Sequence, residues 1–310
     1  MIVIGTSGYS FPDWVGEFYP HNIERSRMLD FYARQFPAVE VNSTYYRIPP
    51  PSTMHAMERK TPPGFEFVVK THHDMTHKQS LDPELYDSLQ RAVAPLQDAG
   101  KLSGLLAQFP QGFHRTREHE QFLLDMKERL PDSALFVEFR HDSWIRNDLF
   151  PWLAENGLRY VSVDEPDLPG LIRPIARATG DLAYVRFHGR NTKTWHMRAG
   201  TRSGAEAEAE RRAGPAVIRR ATGAPDPALG PLFAGTPDTP PPKKVAERDR
   251  PLLRYDYLYS ESELQEWVGK IRELATTTKK TFVFFNNCHA GQAATSAKLM
   301  RRLLEGEGLL

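Results

Sequence analysis

The chain has 310 residues, of which 40 are lysine or arginine and 39 aspartate or glutamate, for a net charge of +1. That balance excludes a polyanion binder by bulk charge, so nucleic-acid affinity would need a local basic patch. The one cysteine, Cys288, excludes an internal disulfide, and no apolar run approaches the roughly 20 residues needed to span a bilayer.

The length suits one large barrel or two ordinary domains. A single domain over 1–310 and a cytoplasmic location without membrane association are expected. The opening MIVIGTSGYS has no basic leader and reads as a first strand, not a signal peptide.

Strand-like and helix-like runs then alternate. IVIGT is the first strand, and SRMLDFYARQF carries Met28, Leu29, Tyr32 and Phe36 at helical spacing. VEVNS, a short helix near Met54–Lys60 and the strand FEFVVK follow. PELYDSLQRAVAPLQDAG repeats Leu85, Leu89 and Val93 every four residues and ends on Gly100, a helix stop. After the strand LSGLLAQF, the helix REHEQFLLDMKERL places Phe122, Leu123, Met126 and Leu130 on one face. LFVEFR, a short helix near Leu149–Asn156, RYVSVD and AYVRFHG continue the series. The helix ESELQEWVGKIRELA begins with Ser260 and Glu263 in capping-box spacing, and TFVFFN with SAKLMRRLL completes the chain. Eight strand–helix units are the count of a TIM (β/α)8 barrel.

One connection is long. Residues 197–250 are rich in Ala, Gly, Pro and Arg, with eight of the 25 prolines and one aromatic, Phe233. Such a composition buries little apolar surface. It is expected to be a partly disordered insertion in a late βα loop, with a short helix at Glu206–Arg212. A passive insertion is preferred to a lid or docking arm.

Most strands end in polar groups. In a parallel barrel those ends lie on one face, where active sites are built. Side chains alternate across a strand. With Val39, Val41, Val137, Phe139, Val185 and Phe187 facing the helices, Glu40, Asn42, Glu138, Arg140, Arg186 and His188 face the axis. Burial there requires partners, so Glu138 with Arg140 or Arg186, and Glu40 with a neighbouring cation, form either a structural network or part of a site. Lys70 is a Schiff-base nucleophile if its pKa is depressed. Pairing with Glu40 or Glu138 is the preferred alternative. His72 and His73 would point in opposite directions on a continued strand.

Glu40, Glu138, Asp164, His141 and His188 are the candidate metal ligands, but no compact motif joins them, and no metal or cofactor is assigned. Arg140, Arg186 and Arg190 suit an anion instead. The start of the last helix, past Gly291, is a second place for one. Tyr9, Trp14, Tyr45 and other aromatics crowd the expected mouth, Trp14 standing out within GYSFPDWVGEFYP. Cys288 beside His289 is expected to be inert.

The segments GTSGYSFPDW, FYARQFPAVEVNSTYYRIP, TPPGFEFVVKTHHDMTH, VEFRHDSW, VRFHGR, YDYLYSESEL and FFNN together resemble the YecE-like family, also called domain of unknown function 72. The resemblance spans nearly everything outside the insertion. It implies a (β/α) barrel and no established activity. It marks Thr6, Ser7, Gly8, Glu40, Asn42, Tyr45, Lys70, His77, Glu138, Arg140, His188, Arg190, Asn286 and Asn287 as site candidates. Cys288 stands where the family often has an acid.

The combined expectation is an enzyme for a small polar, anionic or sugar-like molecule. Glu40, Lys70, Glu138 and His188 would carry acid–base chemistry. Tyr9, Trp14, Asn42, Tyr45, His77, Arg140, Asp164, Arg186, Arg190, Asn286 and Asn287 would bind. A nucleic-acid-binding or DNA-repair-type barrel, including a metal-dependent phosphodiesterase, and a non-catalytic ligand sensor are the alternatives; the oligomeric state is left open. Limited proteolysis should cut first between about Thr201 and Pro242 and leave a folded remainder. Resistance equal to that of the barrel would show that the segment is packed.

Overall fold

The computed structural model of the chain describes residues 1–192, Trp195 and 255–310. The proline-rich stretch and its expected helix at 206–212 lie outside the described residues. Eight parallel strands close into a barrel in sequence order. They are β1 (Ile2–Ser7), β2 (Ala38–Val41), β3 (Glu66–Lys70), β4 (Leu102–Gln108), β5 (Leu135–Glu138), β6 (Leu158–Asp164), β7 (Leu182–Phe187) and β8 (Lys280–Phe285). Pairing of β8 with β1 removes the open edges.

The helices are α1 (Met28–Tyr32), α2 (Pro51–Arg59), α3 (His73–Thr76), α4 (Pro83–Asp98), α5 (Arg117–Glu128), α6 (Leu149–Glu155), α7 (Glu261–Thr277) and α8 (Gln292–Gly306). Their starts follow capping chemistry: Asp82 accepts from Glu84 N, Thr116 from His119 N, and Ser260 with Glu263 forms the expected capping box. Two expectations change. The first helix is only Met28–Tyr32, because it has no side-chain cap and Pro37 disfavours helical backbone in the residue before it. The connection from β6 to β7 (165–181) contains no α-helix. Its Pro166, Pro169 and Pro174 each lack a backbone donor. No helix among the described residues is long and apolar enough to cross a membrane.

The barrel interior is layered. Below lies an aromatic plug in which the Tyr184 ring sits 4.8 Å from Phe136 and 5.3 Å from Phe284. Above it, and fully buried, are Glu40, Glu138 and Arg186. Strand ends complete the top. Gly5 makes room for the plug: a Cβ there would lie 2.8 Å from the Phe284 ring and 2.3 Å from the Ala38 carbonyl oxygen. Since a backbone carbonyl in a paired strand cannot yield, Gly5→Ala should destabilise by about 1–3 kcal/mol in urea titration. An unchanged midpoint would mean that the barrel wall is slack.

Candidate functional site

Strand parity brings the predicted ionic residues together as expected. Arg186, on β7, reaches across the axis to both carboxylates. Its Nη2 lies 2.6 Å from Glu40 Oε1, and its Nη1 donates to Glu138 Oε2. The Tyr184 hydroxyl donates to the second Glu40 oxygen at 2.6 Å. Arg140 adds a second cation, with Nε 2.7 Å from Glu138 Oε1. Burial alone would raise the Glu138 pKa, but Arg140 and Arg186 outweigh it and hold the carboxyl well below its usual range. Glu138 and Glu40 likewise hold the proton on Arg186 against burial. Glu40 and Glu138 thus form the buried network foreseen as the alternative to a catalytic role. Neither is exposed: Glu40 accepts from Arg186 and Tyr184, and Glu138 accepts from Arg186 at Oε2 while Arg140 and His188 lie within ion-pair distance of Oε1.

His188 stands on this layer. Its Nε2 is 3.2 Å from Glu138 Oε1, and Asn286 Nδ2 is 3.1 Å from its Nδ1. Burial, then the Arg140 charge, lower its pKa to about 3. The ring is therefore neutral. Ionised Glu138 requires the proton on Nε2, which leaves Nδ1 to accept from Asn286. A ring held this way, with both nitrogens engaged inside the barrel, orients its neighbours.

Lys70 ends β3 at the mouth. Its Nζ donates to Gln108 Oε1 at 2.9 Å and lies 4.3 Å above the Tyr45 ring. No carboxylate of the described residues lies within ion-pair reach, so the expected pairing with Glu40 or Glu138 does not occur. Burial and then the Arg186 charge lower its pKa to about 7, with Glu138 and Glu40 opposing. Tyr45 carries its hydroxyl to within 3.2 Å of His77 Nε2. Asn42 Oδ1, at the end of β2, is buried without a partner among the described residues.

Two residues of this ring were not among the predicted site residues. Gln108 pairs in register with Glu138 at the end of β4, a parity signal hidden by its lack of charge. Glu165 follows β6, where the helix-free connection ends the strand periodicity. It accepts from Arg140 Nη1 at 3.1 Å and from Ile172 N at 3.0 Å, and burial pushes its carboxyl up to about 7. The Trp195 ring lies 5.9 Å from the Arg140 guanidinium.

Other predicted residues belong to the scaffold. Trp14 is fully buried, donating to Cys288 O at 2.6 Å, and cannot stack on a ligand. Asp164 accepts from Tyr259 and Trp267 at 2.6 Å each and from Arg190 at 2.7 Å. Arg190 also pairs with Glu266, so it braces the loop after β7 and does not join Arg140 and Arg186. Asn287 is buried and donates to Tyr257 O at 2.6 Å. Tyr9 is half-buried, with its phenol pushed up to about 12 by burial. The Cys288 thiol is also raised by burial and donates to Ser7 O, which makes it inert.

The expected metal ligands do not converge. Arginines occupy Glu40, Glu138 and Asp164, and His141 stacks on His114 at 3.8 Å. Among the described residues, ligand-like spacing occurs only at His72, His73 and Asp74. There the strand has ended, and the chain turns into α3 with the two imidazoles 4.5 Å apart rather than opposed. Lys78 already neutralises Asp74 at 2.8 Å. Two shallow surface grooves, one beside Tyr46 and Arg91 and one beside Gln79 and Arg117, include none of the mouth residues.

The sequence profile of DUF72, a protein family of unknown function, matches residues 3–309. The chain belongs to the DUF72 family. A DUF72 family protein from Thermotoga maritima MSB8 is 35% identical, with a TM-score of 0.76 over 98% of this chain and 99% of that one. Another from Enterococcus faecalis V583, 23% identical with a TM-score of 0.75 over 98% of this chain and 96% of that one, shares the fold. The UPF0759 protein YunF of Bacillus subtilis (strain 168) is 27% identical over 99% of this chain and 96% of its own.

In this DUF72 barrel, Arg186→Met would leave Glu40 and Glu138 facing each other without their shared cation. A loss of about 3–5 kcal/mol is expected in urea titration near neutral pH. Glu138 has a folded pKa below its unfolded value of 4.5, so its contribution is present above 4.5 and is lost as pH falls through the folded value. The acid-side decline should therefore be shallower in Arg186→Met than in wild type. Equal stability of the two proteins at both pH values would contradict the network.

Proposed function

We propose that the chain is an enzyme whose site is the polar ring at the carboxyl ends of the strands. Lys70 is its base, and the substrate is a small polar molecule with an anionic group held by Arg140. One observation carries this reading: an amine sits at the barrel mouth against a neutral amide, with no acidic partner among the described residues. A lysine serving only structure would be expected to pair with the two carboxylates nearby. Here Arg186 has taken them.

Arg140 supports the reading because each of its terminal nitrogens carries two N–H groups. Glu165 accepts from Nη1 at 3.1 Å, whereas among the described residues Nη2 finds only His188, whose one lone pair already serves Asn286. Glu165, whose carboxyl burial raises to about 7 against the opposing Arg140 charge, is the matching acid. A base lowered towards 7 and an acid raised towards 7 are the pairing that acid–base catalysis requires. The nucleic-acid alternative needs a row of unpaired cations, whereas Arg140 meets Glu138, Arg186 meets Glu40 and Glu138, and Arg190 meets Asp164.

Reductive methylation with isotopic formaldehyde, followed by nuclear magnetic resonance, should give one amine titrating near pH 7 that is missing in Lys70→Arg. A midpoint near 10.5 would remove Lys70 as base. Linkage gives a second check. The folded protein holds this proton less tightly than the unfolded chain, so wild-type stability falls as pH drops from 10.5 towards about 7. Lys70→Met escapes that loss. Its melting temperature relative to wild type should be higher near neutral pH than near the alkaline end of this range.

A further inference from the structure

The reading of Lys70 as the working group leaves open what it works on. Three features of its surroundings narrow the answer. First, the amine is held in place from two sides, by Gln108 Oε1 at 2.9 Å and by the face of Tyr45 at 4.3 Å. Neither neighbour is a carboxylate that would lock a proton on it. Second, a proton path lies beside it. The Tyr45 hydroxyl is 3.2 Å from His77 Nε2. Partial burial and then the Lys70 charge lower the His77 pKa to about 4, so this solvent-exposed ring is neutral and relays by taking a proton at one nitrogen as it gives one from the other. Third, Arg140 joins the layer beneath through Glu138, and among the described residues Glu165 is the acid that its terminal nitrogens meet, which leaves N–H groups for an anion.

A base that only removes protons has no need of a second, relayed proton source at its own nitrogen. A nucleophilic amine does, because the oxygen it displaces must leave as water. Resting on the reading above, we propose that Lys70 forms a Schiff base with an aldehyde or ketone that carries an anionic group, with Arg140 receiving the anion.

The step balances without an oxidant or reductant. The lone pair of neutral Lys70 attacks the carbonyl carbon, a C–N bond forms, and the carbonyl π electrons move to oxygen. The Tyr45 hydroxyl supplies a proton there and is refilled through His77. The nitrogen, now cationic, passes one of its two protons to the new hydroxyl, the C–O bond breaks as water departs, and the freed nitrogen lone pair closes the C=N bond. The net change is uptake of one proton and release of one water, giving a protonated imine. The layer below favours the neutral amine at the start. Two carboxylates and two guanidiniums already balance there, so a proton on Lys70 would add an uncompensated charge. At a pKa of about 7, neutral amine is about three orders of magnitude more abundant near pH 7.5 than at an ordinary lysine.

The test uses the full chain, pyruvate as the anionic carbonyl and sodium borohydride to reduce the imine to a stable secondary amine. Peptide mass spectrometry then locates the added carboxyethyl group. Lys70 should be labelled roughly tenfold or more above the exposed Lys78 and Lys298, given its larger neutral fraction. Lys70→Arg should lose that label. Acetone, which lacks the carboxylate, should label Lys70 at least roughly tenfold less than pyruvate if Arg140 holds the anion. In Tyr45→Phe the ring under the amine remains but the hydroxyl is gone, so labelling should slow. Labelling of Lys70 no greater than that of the exposed lysines overturns the Schiff base. If the amine still titrates near 7, the acid–base reading survives that outcome; if it titrates near 10.5, both fall. Equal labelling by acetone and pyruvate overturns the anionic substrate class.

Discussion

One guanidinium stands between two carboxylates at the centre of the barrel, and the groups above depend on that balance. Arg186 joins Glu40 from β2 to Glu138 from β5, although it belongs to β7. Three such charges would be very costly to bury singly. Together with Tyr184 and Arg140 they satisfy one another inside a wall of apolar strands. The aromatic plug beneath separates this layer from a second ion pair at the opposite end, where Lys280 Nζ meets Glu66 Oε2 at 2.7 Å. Charge in the interior is thus paired within each layer.

That pairing explains the odd behaviour of the ring above. With two negative and two positive charges already paired, any further charge goes uncompensated. Burial pushes Lys70 towards its neutral form and Glu165 towards its protonated form, and the charges of the layer, already shared among its own members, only partly oppose it. His188 is kept neutral for the same reason, and its two nitrogens are committed to Glu138 and Asn286. The site's chemistry is thus set one layer below the groups that would perform it.

A second framework holds the loops. Asp164 collects Tyr259, Trp267 and Arg190, and the Tyr259 hydroxyl accepts from Gly189 N at 2.8 Å. Trp14 ties the loop after β1 to the one after β8 through Cys288. These contacts use residue types that in a linear reading look functional. Their burial and saturation with partners assign them to holding the mouth in shape.

The linear sequence determined the strands, their parity and the count of units, because apolar alternation and helix caps are local signals a few residues long. It therefore also determined that Glu40, Glu138, Arg140, Arg186 and His188 share the axis, and that Lys70 and Asn286 end strands. It did not determine which cation meets which carboxylate. Glu40 and Tyr184 are 144 residues apart, and only barrel closure sets their distance. The tertiary structure gave both carboxylates to Arg186 and left Lys70 to Gln108, because a buried layer must balance its charge as a whole. It made Trp14 core, Asp164 a brace and Glu165 a member of the ring for the same reason: burial and partners are properties of the closed barrel and have no period in the chain.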